Sequence, residues 1–96
     1  MITFNLKKEW YERIRCGQKT VEYREVKKFW GTRLLNAKLG ELFSERPVPC
    51  ILRLGYTKQH MTATIKKIEV VNGKDTDLRI NSPVYAIYLD EIKVAE

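Results

Sequence analysis

The chain has 96 residues, with 18 Lys plus Arg against 12 Asp plus Glu, giving a formal net charge of +6. That length holds one small domain, residues 1–96, and the basic balance favours polyanionic partners. Its two cysteines, Cys16 and Cys50, lie far apart and outside any C-x-x-C spacing, which argues against a disulfide framework and against a zinc site.

The first residues, Met1-Ile2-Thr3-Phe4-Asn5, carry no charged-then-apolar leader, and no apolar run approaches a membrane span. The cytoplasm is therefore the expected compartment. Ile2 to Leu6 reads as a short first strand. Lys7 to Cys16 reads as a helix with Leu6, Trp10 and Ile14 on one stripe and Tyr11 beside it. That stripe favours core packing for Trp10, with stacking on a base as its alternative. Asn5 is the expected cap, and Gly17 stands where a left-handed stop is wanted. Thr20 to Val26, rich in Thr, Val and Tyr, reads as a second strand.

Lys27 to Asn36 is ambiguous: Phe29, Arg33 and Leu34 suit a short helix, while Gly31 weakens it. Ala37 to Pro49 is expected to be irregular, because Pro47 and Pro49 oppose regular structure. Cys50 to Tyr56 and Met61 to Val71 then read as the two arms of an antiparallel hairpin. Asn72-Gly73 marks a turn, and Val84 to Val94 is the last strand, with Tyr85, Ile87 and Leu89 on one face and Ala86, Tyr88 and Asp90 on the other. Both cysteines are expected to be small apolar packers. Short mixed strands, few helices and no β-α-β alternation predict a small α+β barrel.

The residues richest in chemistry are Gly17-Gln18-Lys19-Thr20-Val21-Glu22-Tyr23-Arg24. Gly17 turns the backbone and lets a ligand come close. Lys19 and Arg24 supply positive charge, and Arg24 can grip a phosphate or carboxylate with two prongs. Glu22 between them can accept hydrogen bonds from an amino edge such as cytosine N4. The residues alone leave a second reading open, in which the three charges form a structural salt-bridge cluster. Trp30 and Arg33 are a candidate outer wall, since aromatic rings stack on bases, and Tyr56 is a further candidate wall. His60 is the one histidine, which excludes a two-histidine acid–base ribonuclease site. Asp75, Asp77 and Asp90 form no spaced metal loop, so no metal and no cofactor are expected.

The spacing G-x-K-x-x-E-x-R resembles the signature of the ASCH family, whose fold is related to the PUA domain of RNA-modifying proteins. The preceding helix, the hairpin step Leu54-Gly55-Tyr56 and the closing strand from Val84 fit the same resemblance, which covers nearly the whole chain outside Ala37 to Pro49. It implies a PUA-like mixed β-barrel with one or two flanking short helices, and a cleft that meets RNA or a nucleotide-like ligand. On that reading Lys19 and Arg24 hold phosphate while Glu22 reads a base edge. Some relatives are similar to amidohydrolases of acylated cytidine, using the motif lysine with a threonine where this chain has Glu22. The lysine is present as Lys19, but the nucleophile is absent. A hydrolase or weak ribonuclease using Lys19 and Glu22 is therefore an alternative, and a non-catalytic interaction module is another.

Overall fold

The computed structural model describes residues 2–26 and 48–95. In chain order these form β1 (Ile2–Leu6), α1 (Lys8–Arg15), β2 (Val21–Glu25), β3 (Val48–Leu54), β4 (His60–Asn72) and β5 (Pro83–Val94), with a 3-10 turn at Gly73–Asp75 between the last two. The five strands make one mixed sheet in the order β1-β3-β4-β5-β2. β1 runs parallel to β3, and every other pairing is antiparallel. The domain is thus α+β: one short helix on a strongly curled half-barrel sheet.

Alternation builds the inner face. Ile2, Phe4 and Leu6 of β1, Val48, Cys50 and Leu52 of β3, Met61, Ala63 and Ile65 of β4, and Ile87 and Leu89 of β5 are buried together. These are the every-second positions of their strands, as the side-chain period of two requires. Each large apolar side chain buried this way contributes roughly 1.5–3 kcal/mol. Cys50 belongs to this core, and burial pushes its thiol up to about 12. Cys16 does not; it is exposed at the end of α1.

The curl has a visible cause. The β4–β5 register shifts twice, between Thr62 and Thr64 and between Ile65 and Lys67. Each shift bends the strand and tightens its right-handed twist. Glu91 adds a positive φ of 49° in β5. The result brings the two outer strands of the sheet, β1 and β2, within reach of each other. Arg24 Nη2 of β2 donates to the Asn5 carbonyl of β1 at 3.0 Å, and its guanidinium lies 5.4 Å from the Phe4 ring centroid.

Several local expectations need correction. Asn5 does not cap α1: the flanking residue is Lys7, without a side-chain cap, and Asn5 Oδ1 accepts from Arg53 Nε at 2.8 Å. Pro49 lies inside β3, opposite Thr64, not in an irregular stretch. Among the described residues the parallel β1–β3 register starts one residue later, at Ile2–Cys50, so Pro49 stands at the end of the ladder. Gly17 stops α1 as expected, with φ +84° and Gln18 N–H bonded back to the Arg13 carbonyl at 2.9 Å. Residues 27–47, and with them the expected short helix after Lys27, lie outside the described residues.

Candidate functional site

The curl leaves a cleft between the facing strands β1 and β2, floored by α1 and edged by the 73–82 connection. Its position follows from the sequence around Gly17. The left-handed turn at Gly17 sends Lys19 N–H back to the Arg13 carbonyl at 3.1 Å, so Lys19 stays beside the end of α1. Leu89 N–H then bonds the Thr20 carbonyl at 2.9 Å and starts the β2–β5 ladder. Glu22 and Arg24 follow on one side of β2.

Four charges meet there. Glu22 is the one buried charged residue among those described. Its Oε2 accepts from Arg24 Nη2 at 3.0 Å, and its Oε1 accepts from Tyr23 N–H at 3.0 Å and faces Lys19 Nζ at 3.7 Å. Lys19 Nζ also hydrogen-bonds Asp77 Oδ2, 58 positions along the chain. Two cations and two carboxylates therefore cancel in formal charge. The Lys19 and Glu22 side chains are 10% and 8% exposed, which makes this a nearly dehydrated network. In such surroundings each partner depends on the others, because an unpaired buried charge is costly.

Two aromatic rings complete the cleft. Lys19 Nζ lies 5.0 Å from the Trp10 ring centroid and 5.1 Å from that of Tyr23. The Arg13 guanidinium sits 4.9 Å from the same Trp10 centroid. Trp10 is half-buried and lines the cleft, so the expectation that it packs in the core is corrected. The buried helix positions are Tyr11 and Ile14, and the helix face they define leaves Trp10 at its border.

The innermost cavity holds about 210 Å³ and is lined by Trp10, Tyr23, Leu78 and the four charges, with Asn5, Leu6 and Lys7. Two further cavities adjoin it, of about 440 Å³ and about 540 Å³. Asp77 lines all three.

The structure brings Lys19, Glu22 and Arg24 together, as their spacing predicts. Gly17 shapes the approach to the cleft but does not line these cavities. Tyr56 is 88% exposed in the β3–β4 turn, apart from the cleft lining, with the Arg53 guanidinium 5.8 Å from its ring. Trp30 and Arg33 lie outside the described residues. Sequence reasoning missed Asp77 as a partner of Lys19 and Tyr23 as a cleft wall, and it ranked core packing ahead of stacking for Trp10. The described residues contain no group of three or more His, Cys, Asp or Glu placed to hold a metal ion. Among them, no helix is long and apolar enough to cross a membrane.

Comparison of the chain with protein families, with curated proteins and with solved structures finds no match.

Proposed function

We propose that the cleft binds RNA or a nucleotide-like ligand by taking one base into the inner cavity. The observation that carries this reading is the combination of two aromatic walls, Trp10 and Tyr23, with a hydrogen-bonding network of Lys19, Glu22, Arg24 and Asp77 whose formal charges cancel. A base is flat, polar at its edge and uncharged, and it gains from stacking and from edge hydrogen bonds together. Glu22 and Asp77 are acceptors for amino or imino groups, and Lys19 and Arg24 are donors for ring carbonyls. The G-x-K-x-x-E-x-R resemblance to ASCH proteins supports the same ligand class.

The geometry changes the part given to Lys19 and Arg24. Both have carboxylate partners already, so neither offers an uncompensated charge to a phosphate. A hydrolytic role for Glu22 gains no support. Both of its oxygens are engaged, and a carboxylate held between two cations is a poor nucleophile toward an amide.

One observation favours a second reading, a purely structural cluster. Arg24, held by Glu22 within β2, bonds the Asn5 carbonyl of β1 and would close the half-barrel without any ligand.

Replacing Trp10 by Leu separates the two readings, because it removes a stacking wall and leaves the four charges in place. Titration with single-stranded RNA by fluorescence anisotropy should show affinity falling by about fivefold or more, since base–aromatic stacking contributes about 1–3 kcal/mol. Unchanged affinity in a folded W10L variant would remove the base-binding reading. Absence of binding by the unaltered protein would leave the structural one.

A further inference from the structure

The inner cavity, at about 210 Å³, is smaller than the roughly 300–1,000 Å³ of ordinary small-molecule sites. It suits a base and leaves a sugar and phosphate outside. The two adjoining cavities are larger, and their charges differ in kind. One is lined by Arg13, Gln18 and Thr20 with Tyr23; the other by Trp10, Arg13, Lys74 and Arg79. Arg13, Lys74 and Arg79 are all exposed. Among the described residues none of the three is ion-paired. Lys19 and Arg24 inside are therefore occupied by carboxylates, while Arg13, Lys74 and Arg79 outside are available, as is Lys7 in the inner lining.

Asp77 stands at the junction of the three cavities and holds Lys19. Its carboxylate repels an anion from the inner cavity. Asp75 also lines the outer region, but the neighbouring cations outnumber it. Backbone phosphates are thus repelled at Asp77 in each cavity it lines and attracted toward Arg13, Lys74 and Arg79.

Resting on the base-binding reading above, we propose that Arg13, Lys74 and Arg79 form a track for the phosphodiester backbone of a single-stranded nucleic acid, with Asp77 dividing the backbone outside from the base inside. The strand is single because a base held in the inner cavity is unpaired and unstacked from its neighbours. The ligand is a strand, and not a free nucleotide, because the track spans two cavities on the far side of Asp77. An acidic protein segment also satisfies the cations, but it has no flat base for the aromatic cavity.

The test compares the unaltered protein with the triple variant Arg13→Gln, Lys74→Gln, Arg79→Gln and with the double variant Lys74→Gln, Arg79→Gln, which leaves Arg13 in place beside Trp10. A six-nucleotide single-stranded RNA is titrated by anisotropy between 50 and 200 mM salt, with polyglutamate as competitor. The matching nucleosides are titrated against the Trp10 indole resonance. The track predicts that the double variant keeps nucleoside binding, while the triple variant loses most of the preference for the hexanucleotide and shows a log–log salt slope shallower by about 2, at roughly 0.7 per phosphate contact. Unchanged hexanucleotide affinity and slope would overturn the track and leave base binding intact. Equal loss of nucleoside binding in the double variant would overturn it as well, by tying Lys74 and Arg79 to the inner cavity. Competition by polyglutamate as strong as by RNA would replace the nucleic acid with an acidic protein. If the unaltered protein binds neither nucleoside nor hexanucleotide, the base-binding reading falls and the track falls with it.

Discussion

Two sets of cations sit within one cleft and differ in almost every physical respect. Lys19 and Arg24 are largely buried, each against a carboxylate, and they tie β2 to β1 and to the 73–82 connection. Arg13, Lys74 and Arg79 are exposed and unpaired among the described residues. The first set is held in place by dehydration: its charges are spent on one another, and removing one strands the rest. The second set is hydrated and free to meet an outside anion, at the cost of strong screening by salt. The conspicuous charges of the motif are thus paired with one another, while the cations around them face solvent.

Substitution can break this contrast at several strengths. Glu22→Ala removes the acceptor shared by Lys19 and Arg24 and should cost about 3–5 kcal/mol, the range for leaving a buried charge uncompensated. In a domain of this size that lowers Tm by more than about 10 °C, readable by circular dichroism. Asp77→Asn should cost less, about 1–2 kcal/mol in urea denaturation, because Asp77 is itself partly exposed while its partner Lys19 is not. Arg13→Gln, Lys74→Gln and Arg79→Gln should each change stability by no more than about 0.5 kcal/mol. If an outer variant destabilised as much as Glu22→Ala, the two sets would not be distinct.

How much of this was readable from the sequence depends on the range of each interaction. The hairpin and the last strand were legible because strand alternation is local: Cys50-Leu52, Met61-Ala63-Ile65 and Ile87-Leu89 occupy the inward positions of their own segments. Lys19, Glu22 and Arg24 were legible as a cluster because a glycine stop and a strand fix their spacing. Asp77 was not, since its partner lies 58 residues earlier and Lys74-Asp75-Thr76-Asp77 reads as an ordinary solvated turn. Only the fold of that turn reveals its direction. Gly73 brings the chain so near Ile80 and Val84 that a Cβ there would meet them at 2.8 Å, while Gly73 N–H bonds the Ser82 carbonyl at 2.8 Å. Trp10 was misplaced because an eight-residue helix offers two apolar stripes. Leu6, Trp10 and Ile14 make one, but Tyr11 with Ile14 is the one that the sheet covers. Pro49 shows the opposite limit: a residue that opposes strands in general is tolerated near the start of β3, one residue before the first described β1 pair.

The most direct test of the account is a residue-resolved map of where a single-stranded RNA touches the protein in solution. Amide and indole resonances followed by ¹⁵N–¹H NMR during a titration should shift first at Trp10, Tyr23, Asp77 and Leu78, with Arg13, Lys74 and Arg79 moving alongside them. Shifts confined to the exposed outer face around Lys66, Lys67 and Val70, with the Trp10 indole unmoved at saturation, would contradict it.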